Sequence, residues 1–279
     1  MDLALSRSER RLTSLIVLFG IPVHLIGILN PDIYRDPPLL IPQNRATDVV
    51  TLGLGIPLLI GSAVATARGS RRGRILWLGA MGFLAYDYGM YALGVRWQPL
   101  FLAYLALFGL SLYALIVGFS RTDPGLINPG ADARIPRKRV AAYLLGVALV
   151  VGAVWLRDEI PATLRGGTPP SVLEFETPTN IVHVFDLGIV LPAMVVAAVM
   201  LLRRRPWGLV LSGVLLVKAA TIGLWVLVMM WFMAGAGFSV PLPQLALFAL
   251  LTALSAALSW LLLSAIPPVH PGSPLFANP

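Results

Sequence analysis

Apolar residues in this chain come in long unbroken runs, separated by short polar stretches rich in Arg, Pro and Gly. A helix crossing the hydrocarbon of a bilayer needs about 20 mostly apolar residues. Eight stretches meet that need, approximately 12–30, 48–67, 75–95, 98–120, 140–156, 181–202, 207–234 and 244–266. The pattern predicts an all-α fold, a polytopic integral membrane helical bundle, because a helix satisfies its own backbone where lipid offers no partners. The seventh run is long enough to tilt or to project beyond the bilayer. The fifth is short and recruits Trp155 and its basic flank as anchors. The first ends at Asn30-Pro31 with no small-x-small cleavage pattern, so it reads as a span and not as a cleaved leader.

Charge orients the bundle. Of the 21 Lys and Arg, 15 fall at the N-terminus and in the second-to-third, fourth-to-fifth and sixth-to-seventh connections. The other side holds only Arg35, Arg45, Arg96, Arg157 and Arg165, and Lys218 lies within a span. Basic connections stay in the cytoplasm, which predicts that both termini are cytoplasmic. The chain of 279 residues is 57% hydrophobic and 12% charged, about half the charged share of a soluble domain, with a mean hydropathy of +0.82. That excludes a cytosolic enzyme, a secreted disulfide domain and a disordered chain. The net charge of +8 comes in clusters between spans, which is a topology signal and not a nucleic-acid-binding face. With no cysteine, there is no disulfide, thiolate metal site or Cys nucleophile. The localisation expected is a bacterial inner membrane.

Two stretches align with one another. Pro42-Gln43-Asn44 leads to Leu52-Gly53, Pro57, Arg68 and Gly73; Pro178-Thr179-Asn180 leads to Leu187-Gly188, Pro192, Arg203 and Gly208, at the same spacings from Leu-Gly onward. Leu105-Ala106-Leu107-Phe108 likewise matches Leu245-Ala246-Leu247-Phe248. Four helices per unit make this a parallel 4+4 repeat, residues 1–135 and 136–279, about an axis along the membrane normal. The prolines remove a donor and crowd the carbonyl four residues back, at Gly53 and Gly188. Both helices should kink there and present a freed carbonyl to protein or to a water-lined cavity. The plainer reading is a shape-setting kink.

Asp87, Asp186 and Lys218 lie within spans. At 1.5 Å per residue, Asp186 sits about 8 Å and Asp87 about 12 Å below the outer ends of their helices. Charges at such depth cost at least ~2.5–3.5 kcal/mol and must face inward with partners, which pairs Lys218 with Asp186 or Asp87. His183 and Asp186, three residues apart, share a helix face, and Asp48 and Thr51 are their counterparts in the repeat. Asp48 also reads as an N-cap, His183 as an interfacial residue, and His24 as a partner to its own kink after Pro22. Tyr88 and Tyr91 share a face and satisfy a buried carboxylate or line a polar path. An aromatic belt accounts for Tyr91 better than for Tyr86, which is deeper. Met229, Met230 and Met233 read as apolar filler and not as a copper path, and the histidines do not fit a bis-His haem, so no metal ligands are assigned and the cofactor is unknown.

The candidate substrate- or ion-binding set is Asp186, Lys218, Asp87, His183, Tyr88 and Tyr91. The function expected is a small secondary transporter or ion-translocating protein with a polar site in the outer half of the bilayer. The alternatives are a non-transporting membrane subunit or sensor whose charges are internal staples, and an intramembrane enzyme acting on a lipid with a lateral opening. The partners follow: the lipid bilayer, a small solute or ion, a membrane protein or a second copy, and no nucleic acid. The Pro-rich tail from Pro267 is expected to be disordered.

Overall fold

Each apolar run closes into one long helix, and the polar stretches supply the ends. Ser6 and Glu9 form a reciprocal capping box at the start of the first helix, Ser70 accepts from the Gly73 N–H at the start of the third, and Asn180 accepts from Val182 and His183 at the start of the sixth. The computed structural model describes residues 3–127 and 134–268; of the tail expected from Pro267, all but its first two residues lies outside them. No strand occurs among the described residues. Eight long helices carry the fold: α1 (Arg7–Leu29), α2 (Ile41–Ala67), α3 (Arg71–Gly94), α4 (Phe101–Arg121), α5 (Arg137–Arg165), α6 (Ile181–Leu202), α7 (Pro206–Gly235) and α8 (Leu242–Ala265). Seven are long and apolar enough to cross a membrane. The exception is α3, which carries Arg71, Arg72, Arg74 and Asp87 and is buried along most of its length.

The centre of the molecule is the crossing of α3 and α7. Gly79 lies against Val217, and Gly213 against Ile75, so a Cβ at either glycine would push the helices apart. Around α3 stand α1, α2 and α4; α6 and α8 flank α7, and α5 packs on α6. The two groups differ in closure. α4 packs along α1, whereas α8 and α5 barely meet. Their bridge is Tyr143, whose hydroxyl lies 2.8 Å from the Leu251 carbonyl and 2.6 Å from Ser255 Oγ.

The arginine-rich end is tied by side-chain contacts, buried at Arg74 and partly exposed at Arg72. Arg74 pairs with Glu9 at 2.6 Å and donates to Thr122 Oγ1 and the Gly118 carbonyl, while Arg72 donates to the Ile266 and Ser264 carbonyls. At the opposite end, Arg96 N–H donates to Asp36, and the short helix Pro170–Phe175 lies at the mouth of a cavity.

The kinks take a specific form. Residues Thr51–Gly55 and Asp186–Val190 each make one π-helical turn, with the Ile56 N–H on the Thr51 carbonyl and the Leu191 N–H on the Asp186 carbonyl. Pro57 and Pro192 then stand in the first turn of the following α-segment, where a missing donor costs little. Gly53, Pro57, Gly188 and Pro192 all lie on the outer surface of the bundle. They shape the helix without framing a central site, because the widened turn itself absorbs the missing hydrogen bond.

The connections after these helices also correspond. The α2–α3 turn places Gly69 at φ 78° and bonds the Ser70 N–H to the Ala65 carbonyl; the α6–α7 turn places Arg204 at φ 55° and bonds the Arg205 N–H to the Met200 carbonyl. Every member of the second set lies 135 residues after its counterpart in the first.

Candidate functional site

A cavity of about 610 Å³ lies between α5, α6, α7 and α8, bounded by α3 and the start of α2. It exists because α8 leans away from α5. Its floor and inner wall hold Tyr86, Trp155, Asp186, Lys218 and Trp225. The π-turn begins at Asp186. Asp186 accepts from the Trp155 indole at 3.0 Å on one oxygen and from the Tyr86 hydroxyl at 3.2 Å on the other. The Lys218 ammonium lies over the Tyr86 ring, 3.9 Å from its centroid. Trp225 stands edge-on to Tyr86, and its indole donates to Thr47 Oγ1 at 2.8 Å.

The expected pairing of Lys218 with Asp186 is one of charge and not of contact: the two act on each other electrostatically, but among the described residues Lys218 touches no carboxylate, because the Tyr86 ring meets the ammonium and its hydroxyl meets Asp186. Asp87 lies outside the cavity. One of its oxygens accepts from Thr51 at 2.8 Å and the other is buried without a hydrogen-bond partner among the described residues.

His183 is buried at the mouth and is not an exposed interfacial residue. Its Nδ1 lies 2.6 Å from Glu159 Oε1, and its ring lies tilted against Trp155, 4.5 Å between centroids. Trp155 is consequently part of the site and not a lipid anchor; α5 runs on to Arg165 and needs none. Asp158, Glu159 and His183 stand close enough to bracket a cation. Asn180 argues for a different use. Its side-chain oxygen caps the helix, so its amide N–H faces His183 Nε2 at 3.2 Å, which makes Nε2 an acceptor and leaves the proton on Nδ1 for Glu159. A cation on Nδ1 would need the reverse arrangement.

The first half holds a filled counterpart. His24 Nδ1 lies 2.8 Å from Asp48 Oδ1, and His24 Nε2 lies 3.3 Å from the Tyr88 hydroxyl. Asp48 also accepts from Tyr34 at 2.5 Å and from Tyr91 at 3.0 Å, and Tyr91 stacks on Tyr104. Asp48 is thus fully buried within α2 and not an N-cap, that position being Leu40, which makes no side-chain cap. His24 reaches across to another helix and does not serve its own kink. Burial pushes the phenol of Tyr34, in the α1–α2 connection, well above its ordinary value, so it stays a donor to Asp48. Burial also raises the Asp36 carboxyl, against the lowering effects of the Arg96 N–H and side-chain charge and of Asn44.

Of the expected residues, the cavity gathers Asp186, Lys218, His183 and Tyr91, while Tyr88 belongs to the filled network. The residues it adds are Tyr86, Trp155 and Trp225, with Glu159 behind His183 as the partner of its ring. The depth of Tyr86 was a legible signal. So was the place of Glu159, which lies 135 residues after His24, as His183 lies 135 after Asp48.

Apolar helices of crossing length are those of a multi-pass membrane protein in contact with lipid. Comparison with protein-family models, with curated proteins and with solved structures finds no match for the chain.

Proposed function

We propose that the chain is a small secondary transporter or ion-translocating protein whose solute site is the cavity between α5, α6, α7 and α8. The observation that carries this reading is a cavity between helices of membrane-crossing length with an acid, Asp186, and a buried cation, Lys218, on its wall. Charged groups in such a place are costly and mark solute or ion pathways. The arginine-rich end is the cytoplasmic one in this reading, so the cavity mouth faces outward, and α3 is the eighth span.

The chain is, on the same reading, two four-helix halves. The paired π-turns, the paired left-handed turn residues Gly69 and Arg204, and the two acid–His contacts all recur at one interval of 135 residues. The contacts are reversed in order: His then Asp in the first half, Glu then His in the second. The first half fills this place with the network of His24, Asp48 and the tyrosines, and the second has opened into a site.

The test is flux into proteoliposomes loaded against a panel of ions and small solutes. Asp186→Asn and Lys218→Met should each reduce flux at least tenfold while circular dichroism and gel filtration remain those of the parent. Flux unchanged in both variants would leave the charges as staples and remove this cavity as the transport site, and no flux of any solute in the parent would remove the transport reading.

The gap between α5 and α8 favours a second reading, an enzyme acting on a lipid, with Glu159 and His183 as its acid/base pair. It predicts turnover of a lipid that Glu159→Gln abolishes and Lys218→Met does not.

A further inference from the structure

Asp87, His24, Asp48 and Thr51 are all 0% exposed, and they meet from three helices, α3, α1 and α2. Asp48 is well supplied with donors: its oxygens face His24 Nδ1 and the hydroxyls of Tyr91 and Tyr34. Asp87 is not. Thr51 donates to one of its oxygens at 2.8 Å, and the other has no hydrogen-bond partner among the described residues. Of the elements packed around it, α1 brings the charge of His24 to bear on Asp87, and α2 brings that of Asp48. Tyr88 and Tyr91 on α3 itself and Tyr104 of α4 lie within its field. Lys218 of α7 and Asp186 of α6 act on each other across Tyr86, and His183 of α6 is held by Glu159. Among the described residues, no Lys or Arg is among the charges that act on Asp87.

Two ionised carboxyls in this layer would face a single imidazole, and that imidazole is already on Asp48 at 2.8 Å. A buried charge persists only when it is paired and hydrogen-bonded. Asp87 has neither a cation in contact nor a donor on its second oxygen, so the uncompensated charge would be its own. As a neutral acid it needs neither. Its proton then faces Thr51 Oγ1, which accepts as readily as it donates, and the free oxygen is an uncharged carbonyl. Where two carboxyls share a site with too little positive charge, one of them holds a proton.

This layer meets the cavity at Tyr91. Tyr91 and Asn44 both line the cavity, and the Tyr91 hydroxyl has one proton for two acceptors, the Asn44 carbonyl at 2.9 Å and Asp48 Oδ1 at 3.0 Å. Turning that proton to Asn44 takes a donor from Asp48, whose charge acts on Asp87. From Asp48 the contacts run on through His24 to the Tyr88 hydroxyl, each a group that can give and take a proton.

We infer that Asp87, beside His24 and Asp48, binds an exchangeable proton, and that this proton is the ion coupled to solute movement through the cavity. The inference rests on the transport reading and names its coupling ion. A solute that engages Tyr91 changes the donors on Asp48, and with them how firmly Asp87 holds its proton. By linkage, the proton changes how firmly the solute is held by the same factor.

The experiment has two arms. The first is infrared absorption of the full chain in nanodiscs at neutral pH, read as the parent minus Asp87→Asn. The carbonyl stretch of a protonated carboxyl stands clear of that of an ionised one. The difference should contain a protonated-carboxyl band that moves on exchange into heavy water, and its absence overturns the inference. If Asp87→Asn does not fold, Thr51→Val takes its place: loss of the hydroxyl should shift the frequency of the same band, and an unmoved band overturns the inference. The second arm reads the proton itself, in proteoliposomes holding a trapped pH-sensitive dye and given each member of the panel of ions and small solutes. In the parent, a solute that crosses should carry protons with it or against it; in Asp87→Asn the same solute should cross without them. Solute flux in the parent with no proton movement overturns the inference and leaves the transport reading in place. Proton movement undiminished in Asp87→Asn likewise overturns the inference alone. No flux of any solute in the parent removes the transport reading and the coupling together, and the infrared band then decides the proton site by itself.

Discussion

At the scale of single residues, the informative pairs are His24 with Asp48 and Glu159 with His183. Each joins consecutive long helices, α1 to α2 and α5 to α6, at distances of 2.8 and 2.6 Å. An acid and an imidazole are interchangeable across such a contact if each keeps one donor facing one acceptor. His24→Glu alone sets two carboxylates together in a fully buried place, and Asp48→His sets two imidazoles there. Each should cost about 3–5 kcal/mol, the loss seen when one partner of a buried pair is removed. The double variant restores the order of the second half and should recover part of that loss in denaturant unfolding. A double variant no more stable than the worse single would show that the two contacts are not equivalent. Asp48 has further acceptor duties to Tyr34 and Tyr91, so full recovery is not expected.

At the scale of the element, the helical hairpins α2–α3 and α6–α7 are the most regular feature. In both, the chain turns back so tightly that the first glycine of the returning helix lies against backbone. A Cβ at Gly73 would run into Ala65 and Thr66, and one at Gly208 into Met200 and Leu201. Neither neighbour is a flexible side chain, so the helices themselves must separate. Gly73→Ala and Gly208→Ala should each destabilise by about 1–3 kcal/mol, the range for overpacking a filled contact, read as lowered melting midpoints in detergent. An unchanged midpoint in both would mean that the hairpins have slack. The same turns explain a local departure from propensity. Arg204 occupies a left-handed conformation that suits Gly69 in the other hairpin, and it is held there by the Arg205 N–H on Met200.

For the whole molecule, the central prediction is orientation. The chain has no cysteine, so a single introduced thiol reports its own side of the membrane. Arg204→Cys and Glu176→Cys lie at opposite ends of the bundle, and both positions are exposed. In sealed inverted vesicles, an impermeant maleimide should label the thiol at position 204 and spare the one at 176, and whole cells should show the reverse. Labelling of both positions from one side would refute the antiparallel run of the last four helices. The contacts at the arginine-rich end, Arg74 on Glu9 and Arg72 on Ile266, give this end a packing role beyond topology.

Much of this molecule is set locally. Long apolar runs must become helices in lipid because no other conformation satisfies the backbone within one segment. Arg clusters, capping residues and the recurring Leu-Gly and Pro therefore mark helix number, helix ends and the paired bends directly in the sequence. Where the bends face, and what the inward side chains meet, depended on packing. Gly53 and Pro57 turn outward because the π-turn supplies the hydrogen bond that a plain kink would lose. Lys218 stands over Tyr86, and not against a carboxylate, because the α3–α7 crossing at Gly79 and Gly213 fixes which side chains share that layer. The cavity was illegible for the same reason. Nothing in the local pattern of α5 or α8 states that they diverge; that follows from how α8 leans on α7, a relation between helices distant in the chain.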